Sequence, residues 1–267
     1  MSQARSTRAP NGIDNPVDDD ARAGFEERYG HPDLGPICIV IAAYRERASI
    51  GKVLDELPSS VCGKRATVLV VDDGSGDGTA EVAREHGAFV CAPALNRGQG
   101  AALRLAYTVA AAHGAEYLVS LDADGQYDPA DIPSILAPVV DGEADLVTGS
   151  RRLGSSYRGD RFRQLGVLVY GTSVRVLTGA AITDPSFGLR AMRAEVPLGL
   201  RLDEPQFQAS ELLVGAIMRG YRVAERPATM RRRASGDSRK GASVAYGYRF
   251  GRVLLRTWWR ARRAAPS

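Results

Sequence analysis

The chain is poor in cysteine, in aromatic residues and in long apolar runs, and each shortage removes a class of protein. The three cysteines, Cys38, Cys62 and Cys91, form neither a close pair nor a metal-ligand spacing. An odd, dispersed set argues against a disulfide framework and fits a reducing, cytoplasmic setting. No run approaches the ~18 apolar residues that cross a bilayer, and no apolar stretch follows a basic start as in a secretory signal. Aromatic residues are only 7% of the chain and no RNA- or DNA-reading pattern occurs, so nucleic acid is not an expected partner. The sequence also lacks the third glycine of the dinucleotide fingerprint and any Gly-Lys-Ser/Thr phosphate loop.

What is present is enough apolar material for one large core: 44% of the 267 residues are hydrophobic, the range of a single α/β domain. The net charge of +4 hides an asymmetry, because Arg219 to Arg263 carries 14 Lys or Arg against only Glu225 and Asp237. A basic end suits an anionic partner such as a phosphorylated substrate or lipid headgroups, and equally a solvated helix face. Residues 1–35 mix Pro, Gly, Asp and Arg around the block Asp18-Asp19-Asp20 and read as a mostly disordered arm. The catalytic domain is expected over 36–240, and a basic amphipathic helix over 241–267.

At Ile37 the texture changes. Ile37 to Ala42 is a continuous apolar run, as expected of a strand covered on both faces. Similar runs follow at Thr67–Val71, Ala88–Ala92, Tyr117–Leu121 and Asp145–Gly149, separated by helical segments at Asp77–His86, Ala101–His113 and Pro129–Val140. Alternation of this kind predicts a mainly parallel, Rossmann-like sheet flanked by helices, with ligands beyond the carboxyl ends of the strands. A helix from about Phe207 to Arg219 and a strand-like Arg222–Glu225 come later.

Polar clusters stand where three of these strands end: Tyr44-Arg45-Glu46, Asp72-Asp73-Gly74-Ser75 and Asp122-Ala123-Asp124-Gly125-Gln126. Side chains two apart on an extended backbone point the same way. Asp122 and Asp124 can therefore share a hard cation or divide between metal and ribose, with Gln126 as a further oxygen ligand and positions left for diphosphate oxygens, which suits Mg²⁺ or Mn²⁺. The bland reading of the same residues is a solvated turn. Asp77 or Thr79 can cap the helix after the second cluster. Asn96-Arg97-Gly98-Gln99-Gly100 precedes another helix N-terminus and permits close approach of backbone and ligand.

In order and spacing, Ala42-Ala43-Tyr44-x-Glu46, Val71-Asp72-Asp73-Gly74-Ser75-x-Asp77-x-Thr79, Asn96-x-Gly98-x-Gly100-x-Ala102 and Asp122-Ala123-Asp124-Gly125-Gln126 together resemble the family 2 glycosyltransferases. The resemblance covers about Ile37 to Gly149. It implies a GT-A fold, donor base and ribose contacts from Glu46, Asp73 and Asp122, a donor site that includes Ala42, Tyr44, Gly98 and Asp124, and metal binding by Asp124 with Gln126. Gly149-Ser150-Arg151, Asp184-Pro185-x-x-Gly188 and Arg233-Ala234-Ser235-Gly236-Asp237-Ser238-Arg239 resemble the polyprenyl-phosphate (dolichyl-phosphate) mannose and glucose synthases of that family. That branch implies a UDP- or GDP-hexose donor and a polyprenyl phosphate acceptor, with catalytic or phosphate-binding roles for Arg151, Arg163, Arg233, Ser238 and Arg239. Gln99 stands where the family often has Lys, and Arg239 precedes Lys240 where Lys directly after the serine is the expectation.

Chemistry independently favours a phosphate acceptor, because a phosphate is already an anion and needs no general base, whereas an alcohol does. Arginine forks suit the phosphate. Asp203, Glu204 and Glu211 are the candidate bases for a hydroxyl acceptor, with structural salt bridges as their commoner role. Arg249, Arg252, Arg256, Arg260 and Arg263 recur at helical spacing and draw one cationic stripe, with Phe250, Val253, Leu254 and Trp258 on other faces. Such a helix suits the inner face of an anionic membrane, or packing on the domain with its charges in water. Asp122-x-Asp124-Gly125 also resembles the nucleophile motif of haloacid-dehalogenase-type phosphatases. That motif normally follows the first core strand and needs a downstream lysine, of which only Lys240 exists here. A non-catalytic nucleotide-sugar-binding module is the remaining alternative.

Overall fold

The computed structural model describes residues 15–156, 161–232 and 244–264. Among them the strands are β1 (Ile37–Ala43), β2 (Ser60–Val61), β3 (Lys64–Asp72), β4 (Phe89–Cys91), β5 (Tyr117–Asp122), β6 (Leu146–Ser156), β7 (Arg190–Arg193) and β8 (Val223–Met230). The helices are α1 (Pro16–Tyr29), α2 (Ile50–Asp55), α3 (Thr79–Glu85), α4 (Gln99–Ala112), α5 (Ile132–Val140), α6 (Arg161–Thr178), α7 (Glu195–Leu198), α8 (Gln208–Met218) and α9 (Val244–Ala264).

One sheet runs β4-β3-β1-β5-β7-β6-β8, with β2 paired antiparallel to the start of β3. Pairing is parallel throughout β4-β3-β1-β5 and again between β6 and β8, while β7 lies antiparallel between β5 and β6. The expected GT-A-type, mainly parallel sheet is therefore present, with two reversed strands, β2 and β7, that the sequence pattern did not announce. Cys38 and Val40 face one core and Ile37, Ile39 and Ile41 the other. The unbroken apolar run of β1 thus follows from burial on both faces, not from an alternating solvent face. From β1 the chain steps outward to β3 and β4, then returns to place β5 on the opposite side of β1. That change of direction opens a crevice beyond the carboxyl ends of β1 and β5.

Residues 16–29 correct the expectation of a disordered arm over 1–35; residues 1–14 lie outside the described residues. The Asn15 side chain accepts from Val17 N at 3.0 Å, Pro16 occupies the first turn, and Asp18 and Asp19 sit there too, where helix N–H groups favour negative charge. Asp18 pairs with Arg97 and Asp19 with Arg22, so two acids of the block are neutralised in place. Phe25 is only 2% exposed and packs against Tyr29, Phe89 and His113 with ring centroids 5.0, 6.4 and 5.3 Å away.

The expected C-terminal amphipathic helix is α9, and it uses two faces. Phe250, Val253, Leu254 and Thr257 are buried, and Tyr170 of α6 stacks on Phe250 at 3.6 Å. Arg256 reaches Glu204 at 3.4 Å, and Arg260 reaches Asp203 at 2.7 Å and Glu211 at 2.8 Å. Two arginines of the stripe therefore hold the helix to the domain. Tyr248, Arg252, Leu255, Trp259 and Arg262 remain exposed and follow one another at steps of four and three residues, forming a second, outward face. No helix among the described residues is long and apolar enough to cross a membrane.

Phe25→Ala is expected to destabilise the protein by about 3 kcal/mol through loss of a buried ring, read as a lower urea midpoint in equilibrium unfolding. An unchanged midpoint would mean that α1 contributes nothing to the folded core.

Candidate active site

The site is set by register. Val71, Ala42 and Asp122 lie side by side across β3, β1 and β5, and Ala43 lies beside Asp72. The three polar clusters that follow these strands therefore emerge along one edge, as the sequence predicts. The loop after β1 is tied to the loop after β3: Arg45 N donates to Ser75 Oγ at 2.8 Å and Glu46 N to Thr79 Oγ1 at 3.0 Å. Arg45 adopts φ 56°, a left-handed conformation unusual for a side chain of its size and the sort of strain that gathers at functional loops. Ser49 Oγ donates to Glu46 Oε2 at 2.6 Å, which orients that carboxylate. The N-cap of α3 is Gly78, neither Asp77 nor Thr79 as expected; Asp77, one residue earlier, accepts from Thr79 N at 3.0 Å.

Asp73 takes a different part from the one its resemblance implies. Its carboxylate is 2% exposed and accepts from Arg97 N at 3.0 Å and Gly98 N at 2.7 Å. It thereby holds the Asn96–Gly98 loop at the mouth of the crevice. Burial pushes its pKa up, with those N–H groups pulling the other way. Asp72 is likewise raised by burial and accepts from Ser75 N at 3.3 Å. The close backbone approach expected at Gly98-x-Gly100 is made by the chain itself. A Cβ on Gly100 would collide with the Glu204 carbonyl oxygen, and Gly100 N donates to Pro205 O at 3.0 Å.

At the end of β5, Gln99 Nε2 donates to Asp122 Oδ1 at 2.6 Å, so the residue that departs from the family pattern touches Asp122 directly. Gly125 has φ 71°, which turns the chain back. Asp124 is 9% exposed and Gln126 N donates to its Oδ1 at 3.1 Å. Gln126 O accepts from Arg231 N at 2.7 Å, and Tyr127 bridges to Met230, which pins the end of β8 beside the acidic loop. The donor set here is all oxygen and holds two carboxylates, not three. That fits a hard divalent cation whose remaining positions go to water and diphosphate oxygens, and it does not fit a closed metal cage.

Arg151 is also placed differently. Its Nε lies 2.5 Å from Asp184 Oδ2 and its Nη2 3.2 Å from Asp184 Oδ1, with Nη2 also 3.1 Å from Ser186 Oγ. Asp184 is fully buried, and its own N–H donates to Glu225 at 2.8 Å, while Thr183 N donates to the same carboxylate at 3.0 Å. A guanidinium engaged at both ends of a buried carboxylate is an organising pair rather than an open phosphate clamp. Arg163 lies on α6 with its side chain outside the description, and Arg233, Ser238 and Arg239 lie outside the described residues. The remaining expected site residues, Ala42, Tyr44, Glu46, Gly98, Asp122, Asp124 and Gln126, belong to the one edge described above.

Sequence reading missed three supports beneath the site. Arg190 is 1% exposed and donates to Phe187 O at 2.9 Å and Pro185 O at 2.7 Å, and also to Ala209 O. Burial among carbonyls lowers its pKa to about 10. Tyr127 Oη accepts from Gly188 N at 2.9 Å, and burial lifts its pKa well above the ordinary value. A Cβ on Gly188 would lie 2.7 Å from that oxygen, which explains the glycine of Asp184-Pro185-x-x-Gly188. Glu225 gathers Thr183 and Asp184. Arg190 opens β7 and Glu225 lies inside β8, and no local pattern in the sequence marks either as a buried charge.

A hydroxyl acceptor would need a base, and the three acidic candidates are occupied. Glu211 accepts from Asp203 N and Glu204 N, both at 3.0 Å, and pairs with Arg260. Asp203 and Glu204 pair with Arg260 and Arg256. Their predicted structural role is the one observed.

The chain resembles known proteins over most of its length. It is 32% identical over 198 residues to a dolichyl-phosphate hexose transferase of Haloferax volcanii, covering 74% of this chain and 84% of that one. It is 32% identical over 218 residues to a polyprenol monophosphomannose synthase of Mycolicibacterium smegmatis, covering 77% and 81%. Its fold matches glucosyl-3-phosphoglycerate synthase from Mycobacterium tuberculosis, solved with Mn²⁺, uridine diphosphate and glucosyl-3-phosphoglycerate, with a TM-score of 0.62, 22% identity and coverage of 94% and 85%. The sequence profile described as "Glycosyl transferase family 2" matches residues 38–197, and with the acidic edge of β1, β3 and β5 in place, the chain belongs to that family.

Proposed function

We propose that the protein transfers a hexose from a UDP- or GDP-hexose to a polyprenyl phosphate with inversion at the anomeric carbon. The observation that carries this reading is the pairing of two features around the Asn96–Gly100 loop. On one side stands the carboxylate edge of β1, β3 and β5. On the other, against Pro205, is a cleft of about 460 Å³ lined by Pro205, Phe207, Tyr248, Arg249, Arg252 and Val253, with Glu204 and Gln206 completing its wall. Apolar and aromatic walls with two arginines at hand match an isoprenoid chain that ends in phosphate. Phe207, which opens α8 at φ 62°, is a second strained residue facing a ligand space.

Asp124 and Gln126 would hold Mg²⁺ or Mn²⁺, which when bound offsets charge on the departing nucleoside diphosphate. Asp122, oriented by Gln99, and Glu46, oriented by Ser49, are assigned to ribose and base on the family resemblance. An acceptor phosphate oxygen attacks the anomeric carbon as its bond to the diphosphate breaks, so one carbon–oxygen bond replaces another and no covalent enzyme intermediate forms. The acceptor arrives ionised, and no residue is required to take its proton. Arg163, Arg233, Ser238 and Arg239 are assigned to the phosphates on the resemblance to the polyprenyl-phosphate sugar synthases alone. Arg151 acts through Asp184 as a positioning residue.

The outward face of α9 supports attachment to the inner face of the cell membrane. Tyr248, Leu255 and Trp259 are 73%, 55% and 55% exposed, with Arg252, Arg262 and Arg263 beside them, the mixture that seats in an anionic interface.

Three outcomes test these assignments. Incubating the protein with a panel of labelled nucleotide hexoses, Mg²⁺ or Mn²⁺ and polyprenyl phosphate should move label into the organic phase. Label that remains aqueous, or that moves without the lipid, would overturn the acceptor. Asp124→Ala should lower metal-dependent turnover by about two orders of magnitude with an unchanged melting temperature; wild-type turnover would remove Asp124 from the metal. Replacing Trp259 and Leu255 together with Ser should weaken sedimentation with anionic vesicles by roughly tenfold, and undiminished sedimentation would place membrane contact elsewhere.

A further inference from the structure

A second cluster of ligating side chains stands at the opposite edge of the sheet. The chain has three histidines, and two of them, His31 and His113, converge with Glu26 so that one ligand atom from each lies within 4.8 Å of the others. The residues come from separate parts of the fold. Glu26 is on the last turns of α1, His31 follows the Gly30 cap of that helix, and His113 caps α4. The His31 and His113 rings are 5.5 Å apart at 33°. His113 is the fixed member: it is buried, its carbonyl accepts from Leu34 N at 2.8 Å, and Phe25 packs edge-on against its ring. Glu26 and His31 are exposed and can rotate toward it. Leu34 and Ala115 lead directly into the starts of β1 and β5, so the cluster lies at the amino ends of the strands, remote from Asp122 and Asp124 at their carboxyl ends.

We propose that Glu26, His31 and His113 form a binding site for a borderline transition-metal ion of the Zn²⁺ class, separate from the donor site. Two imidazoles and one carboxylate are a common zinc donor set, at about 2.0–2.1 Å per bond. Two ligands on such an ion stand ~3.4 Å apart in a tetrahedron, so a spread under 4.8 Å closes by rotation of the two exposed side chains alone. A water completes four-coordination. Nitrogen ligands select Zn²⁺ over Mg²⁺ and Mn²⁺, whereas the oxygen set around Asp124 has the opposite preference. The ion would fasten the N-terminal helix to the end of α4, closing a loop of some eighty residues between His31 and His113, and would stabilise the folded chain by mass action.

The test uses the full-length, untagged protein stripped with EDTA at pH 7.5. Titration with zinc chloride should show one ion bound per chain and a melting temperature raised by roughly 5 °C at saturation, with magnesium chloride giving no such rise. The double variant Glu26→Gln with His31→Ala, both at exposed positions, should lose that binding and the temperature rise while keeping the metal-free melting temperature. Asp124→Ala should retain both. Absence of zinc binding by the parent protein, zinc binding that survives the double variant, or zinc binding lost in Asp124→Ala would each overturn the site.

Discussion

The in-register parallel pairing of β3, β1 and β5 is the constraint on which the rest of the molecule depends. Because Val71, Ala42 and Asp122 occupy one row, three loops with unrelated sequences leave the sheet at a common height and can serve one ligand. A slip of one residue in β5 would reverse the faces of Leu118, Val119 and Leu121, exchanging side chains between two filled cores. The same slip would carry Asp122 out of line with Ala42. Core packing and the height of the site loops are therefore enforced by one set of contacts, and hydrogen bonds such as Gln99 to Asp122 and Ser49 to Glu46 then orient the carboxylates.

The second half of the site is held by charge buried in pairs and by carbonyl cages. Arg151 with Asp184, Asp184 and Thr183 with Glu225, and Arg190 with the carbonyls of Pro185, Phe187 and Ala209 form a continuous polar floor under the crevice. Such groups lose hydration on burial and add little net stability. What they fix is position, since each carboxylate or guanidinium is held from several directions. This explains how β7, a reversed four-residue strand, can sit between β5 and β6 and still carry the Asp184–Gly188 turn to the edge of the crevice.

Much of this architecture was legible because it rests on local pattern. The double-sided burial of β1, β3 and β5 requires uninterrupted apolar runs, and their ends require acids and glycines, so strands and clusters could be placed from residue order. The misplaced features arise where a partner distant in the chain decides. Asp73 looked like a ligand contact because nothing nearby in sequence shows that the Arg97 and Gly98 N–H groups claim it. Arg151 looked like a phosphate clamp because Asp184, 33 residues on, is its partner. Gly98-x-Gly100 looked like room for a ligand, whereas at Gly100 the Glu204 carbonyl fills that room. The helix over 16–29 is a different lapse: Asn15-Pro16 followed by three acids is a helix start, and the acidic block outweighed it in the reading although Arg97 neutralises Asp18 and Arg22 neutralises Asp19.

The C-terminal helix joins the two halves of the proposed reaction. Its inner face is fixed by Phe250, Val253 and Leu254 and by Arg256 and Arg260 on Asp203, Glu204 and Glu211. The acidic segment that receives those arginines is the one that packs on Gly98 and Gly100. Movement of α9 would therefore be felt at the loop that Asp73 holds at the mouth of the crevice. The same helix lines the cleft with Tyr248, Arg249, Arg252 and Val253 and presents Leu255 and Trp259 outward. A lipid acceptor drawn from a surface beneath that outward face would meet the cleft along one helix, with its phosphate end directed toward the Asn96–Gly100 loop and its chain left at the membrane. On this arrangement the arginines of α9 divide between holding the helix to the domain and meeting the anions outside it, which accounts for a cationic stripe too long for either task alone.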